Sequence, residues 1–241
     1  KSHAPIKKFD QVRSDFVANA SHELKTPVAG IRLLSEAIRD AAEIEDKKSL
    51  NLFIDRLDNE AERLQRLVID LLDLSRLEET PDPDRCPRTD LHSAIVTSFM
   101  AHKGEAEDKH LDLVLDDRSV TGDDCYADME PSDASLVFDN LIENAIMYTD
   151  EGSILVTFEP RGHEIAVIVQ DTGIGIPQTD QSRIFERFYR VDKARSREVG
   201  GTGLGLSLVR HAVERSKGRV SVKSNPGEGS QFTVVFPRAK R

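Results

Sequence analysis

Phe16-Val17-Ala18-Asn19-Ala20-Ser21-His22-Glu23-Leu24-Lys25-Thr26-Pro27 lies inside a run whose apolar residues recur at helical spacing. Phe9, Phe16, Ala20, Leu24, Ile31, Leu34 and Ile38 fall on one stripe, which predicts a long amphipathic helix from Phe9 to about Ala41. A second run, Lys47 to Leu77, repeats the pattern with Leu50, Ile54, Leu57, Ala61, Leu64, Val68 and Leu72, while Asp, Glu and Arg fill the other face. The connection over Glu43 to Asp46 is short, so the two helices are expected to pack as an antiparallel hairpin. Two helices bury their stripes poorly. A second copy is therefore expected to complete a four-helix bundle, making the protein a homodimer.

Outward from the hairpin, Thr80-Pro81-Asp82-Pro83-Asp84 and Pro87 read as a linker that stops the second helix. Beyond it the pattern mixes helices (Asp90 to about Ala106, Ser132 to Met147, Leu204 to Ser216) with short β-rich runs at Leu111 to Leu115, Ile154 to Phe158, Ile165 to Gln170, Arg219 to Val222 and Phe232 to Phe236. Turn signals at Arg161-Gly162-His163-Glu164 and Asn225-Pro226-Gly227 join strand pairs as hairpins, so an antiparallel or mixed sheet with helices on one face is expected. The fold class is multidomain, α followed by α+β: residues 1–80 a helical hairpin, 81–90 a linker, 91–241 an α/β sandwich.

Composition bounds the function. The 241 residues are 38% hydrophobic, and Asp plus Glu (43) exceed Lys plus Arg (33), a net charge of −10 that disfavours direct binding of nucleic acid or anionic membrane. The longest apolar runs fall well short of the ~20 residues of a membrane helix. Cys86 and Cys125 have no metal-type spacing and imply neither a zinc site nor a disulfide framework.

Among seven histidines, His22 lies roughly 200° around its helix from the apolar stripe and is expected to face solvent, with Asn19 and Thr26 as axial neighbours. A surface histidine is ordinarily a solvated bystander. Here Pro27 removes the N–H that would bond the Glu23 carbonyl, which predicts a loosened helix, and Glu23 stands ready to accept a proton from one ring nitrogen while the other attacks.

Three further elements suit a nucleotide. Asn140-Leu141-Ile142-Glu143-Asn144-Ala145-Ile146-Met147-Tyr148-Thr149 places Asn140 and Asn144 on one helix face, where amide oxygens can ligate Mg²⁺. An amphipathic helix end with asparagine caps is the plain alternative. Asp171-Thr172-Gly173-Ile174-Gly175-Ile176-Pro177 follows a strand; its glycines permit close approach and its Asp can accept from an exocyclic amine, although such a turn is common at strand ends. Gly200-Gly201-Thr202-Gly203-Leu204-Gly205-Leu206-Ser207 leads into a helix and offers N–H groups to phosphate, or is merely a glycine-rich linker. Between the last two lie Ile184-Phe185-Glu186-Arg187-Phe188-Tyr189-Arg190 and the polar stretch Lys193 to Val199, which reads as a lid over phosphates with Arg187 and Arg190 as charge partners.

In this combination and order, the segments resemble the cytoplasmic core of sensor histidine kinases of two-component signalling, over essentially the whole chain. His22 to Pro27 looks like the H box, Asn140 to Thr149 the N box, Asp171 to Pro177 and Gly201 to Leu206 the two glycine boxes, and Phe185 to Arg190 the F box. The resemblance implies a dimeric four-helix bundle followed by an ATP-binding sandwich of the gyrase, Hsp90 and histidine-kinase type. It implies ATP-dependent autophosphorylation on His22, with Glu23 as acid/base partner, and transfer to an Asp of a response regulator receiver domain. Thr26 is implied in dephosphorylating that partner. ATP and Mg²⁺ are the implied cofactors: Asn144 the metal ligand with Asn140 beside it, Tyr148 along the adenine, Asp171 on its amino group. Gly173, Gly175, Ile176, Arg187, Tyr189, Arg190, Gly201, Thr202, Gly203, Leu204, Gly205 and Leu206 complete the implied nucleotide site. A cytoplasmic location is implied, in a parent anchored in the cell membrane through an upstream segment. Met147 departs from the Lys or Arg that many members carry, which leaves a catalytically weak nucleotide-binding scaffold as the alternative. Hydrolysis of the gyrase and Hsp90 type is disfavoured, because Asn140 stands where those enzymes carry a general-base Glu.

Overall fold

The computed structural model describes residues 4–79, 87–118, 125–192 and 200–239, with side chains from Phe16 onward. The side chain of Phe9, together with Cys86, the proline-rich stretch 80–84 and the segment 193–199 expected to form a lid, lies outside what is described. The chain divides into two compact units, Lys1–Asp73 with Asp192–Leu204 and Leu74–Val191 with Gly205–Arg241.

The first unit is built on helices α1 (Ala4–Glu43) and α2 (Lys47–Glu78), the last residues of α2 belonging to the second unit. Their connection is as short as the sequence predicts. Glu45 takes a left-handed backbone (φ 57°) to reverse the chain, and Asp46 then accepts from the backbone N–H groups of Lys48 and Ser49, both at 3.2 Å. Those bonds satisfy orphan donors at the start of α2. The Ser49 hydroxyl bonds the same carboxylate at 2.6 Å, and this contact is the main reason the Asp46 carboxyl is held below its usual range.

The loosening expected at Pro27 is not seen: α1 is a continuous α-helix through that residue. The Thr26 hydroxyl donates to the His22 carbonyl at 3.2 Å, one turn back. The α2 stripe is only partly covered within the chain. Leu50, Leu57 and Leu64 are half-buried and Ile54, Ala61, Val68 and Leu72 exposed, Leu72 at 66%, while the buried Arg63 and Leu67 each stand one residue before an expected stripe position. The apolar arc of α2 is wider than one neighbouring helix can cover.

In the second unit α3 spans Leu91–Asp108, α4 Pro131–Tyr148 and α5 Gly205–Arg215. Asp90 caps α3 by accepting from His92 N–H (3.0 Å) and Ser93 N–H (3.2 Å), and Pro131 opens α4 with a preset φ. The main sheet runs β2–β4–β5–β7–β6, with β2 Asp112–Asp116, β4 Ser153–Arg161, β5 Glu164–Asp171, β6 Arg219–Asn225 and β7 Gly229–Pro237. It is mixed: β2 pairs parallel with β4 and every other pair is antiparallel. Both sequence-predicted hairpins form, with Arg161 opposite Glu164 and Asn225 opposite Gly229. Ile154, Val156 and Phe158 of β4, Ile165, Val167 and Val169 of β5, and Phe232, Val234 and Phe236 of β7 are buried at period two. Alternation of this kind marks a sheet covered on one face. Phe138 of α4 meets Phe236 edge-on at 6.4 Å in that core. A two-stranded ribbon, β1 (Arg88–Asp90) with β3 (Tyr126–Asp128), was not expected. Strands of three residues carry too little periodicity to be read.

Candidate functional site

His22 stands on α1 with its side chain 76% exposed, as its angular position requires. Its Nδ1 lies 4.0 Å from Oε1 of Glu23. Glu23 is half-buried, and its other oxygen, Oε2, lies 3.8 Å from Nη2 of Arg63 on α2. Arg63 was not singled out in the sequence, where an arginine on a charged helix face carries no signal. In the same unit the Thr202 hydroxyl accepts from Leu204 N–H at 3.2 Å and donates to Asp70 of α2, and Gly203 takes a left-handed backbone (φ 75°). Gly201–Leu204 belongs to this unit and Gly205 to the other.

In the second unit, α4 is the organising element. Asn140 Nδ2 donates to Leu136 O at 2.8 Å and Asn144 Nδ2 to Asn140 O at 2.7 Å. Each amide nitrogen thus uses one of its two N–H donors on its own helix, and each amide oxygen is an acceptor. Asn140 Oδ1 faces the start of α5 so closely that a Cβ on Gly205 would sit 2.3 Å from it. Position 205 admits no side chain while the asparagine keeps this place.

At the C-terminal end of α4, Tyr148 O accepts from Ile174 N–H at 3.2 Å, and a Cβ on Gly173 would lie 2.3 Å from that same carbonyl. Gly175 has φ +69° and a Cβ there would be 2.0 Å from Asn225 O. The first glycine segment is therefore moulded against the end of α4 on one side and the β6–β7 turn on the other. That turn also holds it by hydrogen bonds, Gly227 N–H to Ile174 O at 2.8 Å and Ile176 N–H to Ser224 Oγ at 2.7 Å. Gln181 adds bonds to Ile176 O (3.0 Å) and Ser224 O (2.7 Å). Ser224, Asn225 and Gln181 were missed in the sequence, because their roles arise from tertiary contact alone.

Asp171 closes β5, is buried, and uses one oxygen, Oδ1, to accept from Gly173 N–H (2.9 Å) and Ser230 N–H (3.1 Å). Burial pushes its carboxyl above the usual range, and the two backbone donors offset part of that rise. The site holds this carboxylate rigid through its backbone neighbours.

The aromatic segment after Ile184 is partly engaged elsewhere. Arg187 pairs with Glu78 at 2.6 Å and its Nη2 lies 3.1 Å from Nε2 of His211, so its guanidinium is tied to the end of α2 and to α5. The Tyr189 hydroxyl donates to Asp180, which is the main reason its phenol is raised above the usual range, and Arg183 stacks over its ring at 4.3 Å. Arg190 is half-buried, and Phe188 before it takes a left-handed backbone (φ 61°).

Among the described residues no cluster of three His, Cys, Asp or Glu side chains could hold a metal; a hard cation such as Mg²⁺ also accepts amide oxygens. Asn140 and Asn144 fit that chemistry. Among the same residues no helix is long and apolar enough to cross a membrane.

Residues 12–80 match the His Kinase A (phospho-acceptor) domain, and residues 129–240 match the histidine kinase-, DNA gyrase B- and HSP90-like ATPase domain. The chain is 38% identical over 234 residues to the sensor-like histidine kinase SenX3 of Mycolicibacterium smegmatis, covering 95% of this chain and 59% of that protein. It is 37% identical over 237 residues to the sensor histidine kinase WalK of Bacillus subtilis, covering 95% of this chain and 37% of that one. It thus spans little more than half the length of the first relative and about a third of the second. The fold is shared with the Acinetobacter baumannii histidine kinase AdeS (TM-score 0.69, 24% identity, 91% of this chain and 98% of that one). It is shared also with histidine kinase ThkA, solved in complex with the response regulator protein TrrA (TM-score 0.72, 21% identity, 100% of this chain and 70% of that one). The helical hairpin with an exposed histidine, and the sandwich whose glycine turns close on an asparagine-bearing helix, belong to one lineage: the chain is a member of the sensor histidine kinase family of two-component signalling.

Proposed function

We propose that the protein uses ATP to phosphorylate His22 and passes the phosphoryl group to an aspartate of a response regulator receiver domain. The observation that carries this reading is the pairing of a solvent-facing imidazole with Glu23 at 4.0 Å from Nδ1. Nε2 attacks the γ-phosphorus, the bond to the β-phosphate oxygen breaks with its electrons leaving on ADP, and the Nδ1 proton passes to Glu23. On the nucleotide side, Asp171 accepts from the adenine amino group, Tyr148 lies along the ring, and Gly173, Gly175 and Ile176 let the backbone approach. Asn144 with Asn140 holds Mg²⁺, which would neutralise phosphate charge when bound. Gly201, Thr202, Gly203, Leu204, Gly205 and Leu206 offer N–H groups to the phosphates, with Arg187, Tyr189 and Arg190 bordering them.

Residues 1–80 serve as dimerisation and phosphotransfer hairpin, 81–90 as linker and 91–241 as ATP-binding domain. The exposed Ile54, Val68 and Leu72 support a homodimer, since a second hairpin would cover them. Thr26 positions water when the regulator is dephosphorylated. The activity is exercised in the cytoplasm, in a parent anchored in the membrane. The test is incubation with γ-labelled ATP and Mg²⁺ beside His22→Gln and Asn144→Ala. Acid-labile label that disappears in both variants is expected; label that survives in His22→Gln would refute the assignment.

A further inference from the structure

Arg63 is only 7% exposed, although a guanidinium is always charged and rarely buried without partners. Its partners come from both helices. Nη1 donates to Glu60 Oε1 at 3.2 Å, one turn earlier on α2, and Nη2 faces Glu23 Oε2 on α1 at 3.8 Å. Glu60 lies across from Gly30 of α1, where a Cβ would make ordinary van der Waals contact with its side chain at 3.4 Å. The Glu23 carboxylate is therefore strung between two groups. Its Oε2 points to Arg63, and its Oε1 points to Nδ1 of His22.

We propose that Arg63 is a positioning residue for phosphoryl transfer to His22, anchoring one oxygen of Glu23 so that the other stays on the Nδ1 side of the imidazole. This rests on the proposed role of Glu23 as proton acceptor. An unanchored glutamate samples several rotamers, and most of them carry the carboxylate away from the ring. The buried Arg63 restricts that sampling and keeps the acceptor aimed. During transfer the Nε2–P bond forms, the P–O bond to ADP breaks with its electron pair on ADP, and the Nδ1 proton moves to Oε1. Arg63 stays bound to Oε2 throughout and exchanges no proton.

The test uses the whole chain with Arg63→Met, Arg63→Lys, Glu23→Gln and the Arg63→Met/Glu23→Gln pair. The readouts are initial labelling rate at saturating ATP, KM for ATP, and the ring tautomer of His22 from its ¹⁵N shifts. Arg63→Met is expected to lower kcat about 10- to 100-fold with KM unchanged, within the range of a mispositioned acid–base partner. It is also expected to shift His22 away from the Nδ1–H tautomer. Arg63→Lys keeps the charge and is expected to restore most of the rate. In the Glu23→Gln background Arg63→Met should add nothing, because its effect runs through Glu23. An unchanged kcat in Arg63→Met, or a loss that multiplies with Glu23→Gln, overturns the proposal. Should Arg63→Met lose its helical circular dichroism, Arg63→Lys decides: a tautomer and rate near the parent uphold the role, and a rate as low as that of Glu23→Gln with an unmoved tautomer overturns it. A fully active Glu23→Gln would refute the underlying reading of Glu23 instead, whatever Arg63 does.

Discussion

The hairpin and the sandwich carry their function in opposite places. In the hairpin the proposed reactive group is a side chain standing in solvent, and the helix beneath it would fold as well with another residue there. In the sandwich the candidate site is backbone shape: Gly173, Gly175 and Gly205 sit where any Cβ would strike a carbonyl or an amide, and Asp171 is a buried carboxylate held by two N–H groups. Chemistry on an exposed side chain is nearly independent of stability. Chemistry built from a mould is not, because the atoms that shape the site are the same atoms that hold the fold.

The separation is tested first at the hairpin's uncovered stripe. Leu72→Glu removes an exposed apolar side chain from each copy of the proposed dimer and places a charge there. At roughly 1.5–3 kcal/mol per leucine, two copies should cost about 3–6 kcal/mol of association, or about 10²- to 10⁴-fold. Sedimentation should show monomers whose nucleotide affinity is unchanged; an intact dimer would mean that the exposed stripe is not the interface.

Asp171→Asn tests the mould. It should weaken nucleotide binding about 100-fold, since an amide nitrogen cannot accept from the adenine amino group, yet raise stability at any pH where the parent carboxyl is ionised. The sign follows from the raised carboxyl. A group whose folded-state pKa lies above its unfolded value favours the fold most below the unfolded value, and that advantage is lost as pH rises through the folded one. Once ionised, the buried Asp171 is therefore a burden on the fold that the asparagine relieves. The same direction predicts that nucleotide binding fades on acidification at a higher pH than an ordinary carboxylate would give, read by titration calorimetry across pH.

Gly205→Ala should cost about 1–3 kcal/mol by overpacking against Asn140, with stability and nucleotide binding falling together in denaturant and fluorescence titrations. A variant that lost binding at full stability would uncouple what the mould joins. The smallest effect is expected from Asp90→Ala, which removes the cap of α3 and should lower stability by about 1 kcal/mol without altering nucleotide affinity.

The same contrast explains what could be read in advance. The hairpin was legible because its signals are periodic and local: two apolar stripes, a short connection, and one histidine off the stripe. Its error was local too: Pro27 suggested a loosened helix, yet α1 continues through it. The exposed residues of the α2 stripe are what two helices that bury their stripes poorly leave uncovered. In the sandwich the glycine segments were visible, but their reason was not. That Gly175 must be glycine because of Asn225, and that Ile176 is held by Ser224, depends on strands distant in sequence meeting at one turn. Arg63 was invisible for a similar cause: only the hairpin's own closure brings it to Glu23.

The glycine positions also have a genetic meaning. Every missense change of a glycine codon adds at least a Cβ, so at positions 173 and 175, where that atom meets a backbone carbonyl, no single-base substitution leads to a neighbour that fits. A saturation library scored for nucleotide binding should find these two columns empty except for the parent residue, while the codons of the exposed α2 face, under the same score, stay densely populated.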